Sequence, residues 1–187
     1  TRISDPATTH TFAGLKIDGK LLVDSNVDVT SPSTNSIVKA NPEAGFSIVK
    51  YTMGSSDIRV GHGLNAEPEL VITRRYSDTD SWITYHASLG KSKYLFLNGT
   101  NAAFTDTSDA FTSTNNSVFD ARQGLINAGD CIAFCFAPVP GFSAFGSYEG
   151  NGSSDGPFQW CGFRPAVLLW KNADGSFEWG IIDSKRD

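Results

Sequence analysis

The run Cys131-Ile-Ala-Phe-Cys-Phe-Ala137 decides the fold. It is short, wholly apolar and preceded by turn residues at 122–130, which suits a strand better than a helix. With a period of two, Cys131, Ala133 and Cys135 point to one side and Ile132, Phe134 and Phe136 to the other, so neither face is polar. Such a strand belongs in the middle of a sheet, covered on both sides. Outward from it, residues 94–97 and 117–121 read as further strands, with turn residues at 98–116 between them. Beyond it, residues 166–171 and 177–182 flank Asn172-Ala173-Asp174-Gly175, a hairpin signal. No stretch keeps helical periodicity over roughly 12 residues. The expected class is all-β, a β-sandwich or jelly roll.

Composition agrees and excludes several functions. About a third of the 187 residues are Ser, Thr, Asn or Gly, the residues of turns and loops. Fifteen Lys+Arg stand against 20 Asp+Glu, a net charge of −5, and no basic cluster exceeds Arg74-Arg75 and Lys185-Arg186. That argues against nucleic acid and against anionic lipid as partners. The apolar runs fall far short of the roughly 20 residues of a membrane-spanning helix. Cys131 and Cys135 share a face about 13 Å apart at about 3.3 Å per residue, too far to bond to each other. A bridge from either to Cys161 stays open, but without a His at zinc spacing they read as small buried hydrophobes.

Along the chain, Asp18-Gly19 lies between two apolar runs in residues 12–24 and predicts a hairpin. Residues 25–44 are rich in Ser, Thr, Asn, Asp and Pro and read as a linker or a loosely packed edge. Residues 1–44 are therefore expected to be a hairpin and linker from a preceding β domain, and 45–187 a β-sandwich domain. The chain opens on Thr1 and stops directly after a strand-like run, so it reads as a piece of a longer protein.

Comparison of the sequence with itself adds an internal duplication. Gly45-Phe46-Ser47 recurs as Gly141-Phe142-Ser143, Tyr51 as Tyr148, Pro68 as Pro165, Arg74 as Lys171 and Trp82 as Trp179. The offset is 96 at the first match and 97 at the others, and in each copy Trp follows Pro by 14 residues. Copy one is expected over residues 45–140, and a partial copy two over 141–187.

Candidate chemistry is sparse. Gly152-Ser153-Ser154-Asp155-Gly156 matches the nucleophile-elbow pattern, but the elbow needs a helix after it and Pro157-Phe158 follow instead. It reads as a loop, and no catalytic residue is expected. His62, between Gly61 and Gly63, stands where a ligand can approach the backbone closely, or is a hydrogen-bonding turn residue. Asp78-Thr79-Asp80 and the loop 151–155 offer oxygens to Ca²⁺, yet neither follows a known ligand order, so no metal or other cofactor is expected. Trp82 is a packing anchor matched by Trp179, or a stacking platform for sugar rings. In the second reading Trp82, Tyr85 and His86 present the rings, Asp78 and Asp80 bind hydroxyls, and His62 adds a contact. Asn98, Asn115 and Asn151 each begin a glycosylation sequon.

Five stretches carry a resemblance. They are Gly45-Phe46-Ser47-Ile48-Val49-Lys50-Tyr51 with Val60-Gly61-His62-Gly63-Leu64, Trp82-x-x-Tyr85-His86-x-Ser88-Leu89-Gly90, and Tyr148-x-Gly150-Asn151-Gly152-Ser153-x-Asp155-Gly156-Pro157-Phe158 with Gly162-Phe163-Arg164-Pro165. Over residues 41–187 the chain resembles an uncharacterised β-rich domain recurrent in tail-fibre and other structural proteins of marine bacteriophages. Residues 15–24 are similar to the linker that follows a laminin-G or concanavalin-like sandwich. The resemblance implies a non-enzymatic module of the virion, on a tail fibre or other surface appendage, with host-surface glycan as a ligand. The alternatives are a purely structural component that packs against copies of itself and other virion proteins, or a glycan depolymerase.

Overall fold

The computed structural model describes residues 16–17, 20–21, 32–111 and 114–185. Strands β1 (Lys16–Ile17) and β2 (Lys20–Leu21) pair antiparallel, as Asp18-Gly19 implied, and belong to a compact unit spanning Thr1–Thr30. A second unit, Ser31–Asp187, holds the remaining elements.

In chain order these are β3 (Ser36–Asn41), β4 (Phe46–Met53), β5 (Ile58–Gly61), β6 (Leu70–Arg75), β7 (Ile83–His86), β8 (Lys93–Phe96), β9 (Phe104–Thr105), β10 (Val118–Ala121), β11 (Gly129–Phe136), β12 (Val167–Trp170) and β13 (Gly180–Asp183). Seven of them form one antiparallel sheet in the order β3-β4-β11-β6-β7-β8-β9. The described residues contain no α-helix, only two single-turn 3-10 segments, Pro42–Ala44 and Ala87–Leu89. The architecture is mostly β.

The deciding run becomes β11, flanked by β4 and β6. Its inward side, Cys131, Ala133 and Cys135, is fully buried, and no disulfide joins the cysteines. Small side chains there leave room for large ones from neighbouring strands. Tyr51 reaches across β11 to Thr73, hydroxyl to hydroxyl at 2.7 Å, and Thr73 in turn donates to the Ile132 carbonyl at 2.9 Å. Over this face lies the two-stranded sheet of β5 and β10, in which Val60 opposes Phe119. Phe119 meets Tyr51 edge to face at 6.0 Å, and Leu64, Phe111 and Ile126 complete the core. On the opposite side Ile132, Phe134 and Phe136 are only half-buried. Coverage on both sides, expected from the sequence, is complete on one.

Strand β3 falls within residues 25–44, read as a linker or a loosely packed edge; it pairs with β4 along its length, is an edge strand of the large sheet among the described residues, and lies in the second unit. The chain turns from β3 into β4 at Gly45, whose φ of +62° favours glycine, and the Gly45 carbonyl accepts from Ala137 N–H at 2.8 Å. Gly141-Phe142-Ser143, matched to the opening of β4, forms only an isolated bridge between Val139 and Ser143. The physical reason is missing partners: β4 is hydrogen-bonded to β3 and β11, whereas no described strand flanks residues 142–149. The hairpin β12–β13 forms where the turn signal placed it.

Candidate functional site

On β4 and β11 the even-numbered side chains face away from the core, because both strands alternate and the odd-numbered residues Ser47 to Met53 and Cys131 to Cys135 are buried. On β6 and β7 Ile72 and Thr84 are buried as well, and Arg74 and His86 are half-buried residues of that side. This outer face carries a continuous belt of rings. Arg74 places its guanidinium 5.2 Å from the Trp82 ring, and Trp82 stacks on Phe134 at 5.9 Å. Phe134 stacks on Phe46 at 6.4 Å, and Phe46 meets Phe136 at 4.9 Å. Phe145, from the segment after β11, then lies 6.4 Å from Phe136 and 6.4 Å from His86. Trp82, His86, Phe46, Phe134, Phe136 and Phe145 are all half-buried.

Each end of the belt is fixed. Arg74 donates from Nη2 to the Asp78 carbonyl at 2.8 Å, and the Trp82 N–H is held by Asn98 Oδ1 at 3.0 Å. His86 accepts the Ser88 N–H at Nδ1, 3.2 Å, and burial lowers its pKa below the ordinary imidazole value. Beside Phe46, a shallow groove of about 460 Å³ runs between Val38, Lys39, Ala40, Asn41 and Ile48.

Of the six sugar-contact candidates, the structure unites Trp82 and His86 on this face. Tyr85 points the other way, is buried against Phe111 at 5.0 Å, and lies 3.4 Å from Thr114 Oγ1. It lines a separate groove with Glu67, Pro68, Glu69 and Ala87. The Asp78 and Asp80 carboxylates are engaged by Arg75, which donates to Asp80 at 2.7 and 3.2 Å and to Asp78 at 3.0 Å. That hydrogen bonding holds the Asp80 carboxyl below the usual carboxylate range.

His62 is wholly buried on the core side. It donates from Nε2 to the Asn115 carbonyl at 2.9 Å and accepts Leu64 N–H at Nδ1, 3.2 Å, which assigns the neutral tautomer with its proton on Nε2. Burial lowers its pKa.

The described residues contain no cluster of three or more His, Cys, Asp or Glu placed to hold a metal ion. The loop 151–155 satisfies itself: Asn151 Oδ1 accepts Ser153 N–H, and Asn151 Nδ2 donates to the Asp155 carbonyl. The sequence reading missed Phe46, Phe134, Phe136, Phe145 and Arg74 as surface groups. One signal for the central pair was present, since small residues on one side of 131–137 and large ones on the other mark the two faces as different.

Scaffold and site together define a mostly-β domain that displays an aromatic belt on one sheet face and an apolar hairpin beyond it. Residues 23–187 match the family described as a domain of unknown function, DUF7483, and the chain belongs to that family. No curated protein and no solved structure matches it.

Proposed function

We propose that the chain is a non-enzymatic structural module of a phage virion protein, part of a tail fibre or another surface appendage, and that it works by assembling with virion subunits. The observation that carries this reading is the distribution of exposed large apolar side chains. Apart from Ile37 and Tyr76, all those among the described residues lie between Phe142 and Ile182. Apolar surface concentrated in this way marks an interaction site. The resemblance of residues 41–187 to a domain of phage structural proteins supports the same reading. Residues 141–187 are, on this reading, a partial second copy of 45–140, and the β5–β10 pair is the short second layer of a sandwich. Gold-labelled antibody against the domain, applied to purified particles, is expected to mark the appendage in electron micrographs. Label found only in particle-free fractions removes the proposal.

The belt supports a second role, host-glycan binding, because Trp82 and His86 are half-buried rings joined to Phe134 and Phe145 on one sheet face. Host polysaccharide is then expected to quench Trp fluorescence in the wild type but not in Trp82→Ala. A flat signal across a glycan panel rejects this role.

A further inference from the structure

The outer face of the large sheet differs in charge from the chain as a whole. Strand pairing places Ile37, Lys50, Ile132 and Arg74 in one row across β3, β4, β11 and β6, and Lys39, Ile48, Phe134 and Ile72 in the row beside it. Paired residues of an antiparallel sheet share a face, so Lys39, Lys50 and Arg74 stand on the side of the aromatic belt. On that side of these four strands the one carboxylate is Asp130, whose Oδ1 accepts the Thr52 hydroxyl at 3.1 Å. The whole chain carries 15 Lys+Arg against 20 Asp+Glu, so the face reverses the overall sign. Three other arginines are matched to carboxylates, Arg59 to Asp120, Arg75 to Asp78 and Asp80, and Arg122 to Asp106. No ion pair among the described residues includes Lys39, Lys50 or Arg74. Both lysines are exposed, and Lys50 Nζ lies 5.1 Å from the Tyr76 ring. Arg74 donates from Nε to the Arg75 carbonyl at 3.1 Å and from Nη2 to Asp78, which leaves its Nη1 donors without a partner among the described residues.

We propose that this part of the face binds an acidic polysaccharide, one whose sugars carry carboxylate or sulfate groups. The proposal rests on the glycan reading above and names the ligand class. Charge complementarity carries it: cations with no carboxylate partner draw in an anionic chain and meet its charged groups on contact. Arg74 matches a carboxylate or sulfate with its planar fork, and the two lysines act as point charges on flexible stems. Trp82, against which Arg74 is stacked, offers a ring to the apolar side of a pyranose. The spacing suits a chain better than a single ion. Lys39 and Lys50 are diagonal neighbours about 7–8 Å apart at the backbone. Lys50 and Arg74 flank Ile132 at about 10 Å, two strand spacings. Half-buried Ile48 and Ile132 lie between the cations and meet the sugar rings. Because β4 and β6 both lie inside the sheet, Lys50 and Arg74 do not depend on its edge. Nucleic acid is the weaker fit, since so few cations on a chain of net charge −5 neutralise few phosphates.

The test is titration calorimetry of the intact chain with polygalacturonate, dextran sulfate, uncharged dextran and single-stranded DNA, at low salt and at about 0.3 M NaCl. Lys39→Glu/Lys50→Glu reverses two charges of the face. Lys91→Glu/Lys93→Glu, at exposed lysines away from it, makes the same change in net charge. Circular dichroism checks that each variant remains folded. Wild type is expected to bind at least one of the acidic polysaccharides, more weakly at the higher salt. The first variant is expected to lose at least about tenfold in affinity, the equivalent of about 1.4 kcal/mol, and the second to bind as wild type. Binding of polygalacturonate alone identifies carboxylate as the group recognised, and binding of dextran sulfate alone identifies sulfate. No loss in the first variant, or an equal loss in both, overturns the proposed surface. Dextran bound as tightly as the charged polysaccharides overturns the acidic class and leaves the glycan reading standing. Single-stranded DNA bound as tightly overturns the proposal in favour of a general polyanion surface. A wild type that binds no polymer also overturns it, and Trp quenching across the glycan panel then judges the glycan reading separately.

Discussion

Replacing Phe119 by Ala tests whether the β5–β10 pair closes one face of the large sheet. The side chain is fully buried and meets Tyr51 edge to face. Deleting a buried Phe ring costs about 3–5 kcal/mol through lost transfer energy and the cavity left behind. The Tyr51 contact contributes about 0.5–1.5 kcal/mol within such totals, which places the expected loss near about 4 kcal/mol. Domains of this kind hold about 5–15 kcal/mol in all, so the variant remains folded but loses a large share. At about 2–4 °C per kcal/mol for a chain of this size, Tm falls by about 8–16 °C. Phe158→Ala is the internal control: its ring is 82% exposed, and the expected change is within about 0.5 kcal/mol. Urea unfolding followed by Trp fluorescence at low protein concentration measures both. A Phe119→Ala loss below about 1 kcal/mol, or one equal to the control, refutes the packing argument.

Two further outcomes follow from buried groups. His62 is neutral in the fold, and burial depresses its pKa below the ordinary 6.5 of the unfolded chain; its contribution is thus complete above that value and declines as pH falls through it. His86 acts with the same sign. Tm is expected to drop between about pH 7.5 and about pH 5.5, less steeply in His62→Gln, and a flat profile contradicts the assignment. Burial pushes the Cys135 thiol up to about 12 and raises that of Cys131, while Cys161 is only half-buried. A thiol reagent added to the native protein is expected to label Cys161 first, and rapid labelling at Cys131 or Cys135 contradicts the buried face of β11.

Strands were legible in the sequence where a local signal fixed them. The run 131–137 announced a central strand because both its faces are apolar, and Asn172-Ala173-Asp174-Gly175 announced a hairpin because the turn chemistry is local. Pairing was not legible. Nothing in residues 58–61 or 118–121 states that Val60 meets Phe119, since that contact depends on chain brought back across more than 50 residues. The site was read in part for the same reason. Flanking glycines look alike whether they admit a ligand or a neighbouring strand. At Gly63 a side chain would press on Val38 and Ala40, so the glycine serves packing around a buried His62. Asp78 and Asp80 resembled free ligand oxygens until the fold brought Arg75 to them. The belt was invisible in one dimension because its rings come from β4, β7, β11, the residue before β7 and the loop after β11.

The position of β11 has a consequence for how the chain reaches its fold. Its partners on β4 lie 76 to 90 residues earlier, from Gly129↔Met53 to Phe136↔Phe46. On a ribosome, β3 and β4 on one side and β6, β7 and β8 on the other emerge as two separate ribbons with no strand between them. Each ribbon exposes a free edge until β11 is synthesised and joins them. Contacts of such separation make closure slow and leave the nascent ribbons open to pairing with the wrong neighbour. Where many copies are made at once, the interval before residue 136 appears is the time at which strands of different chains compete for the same edge.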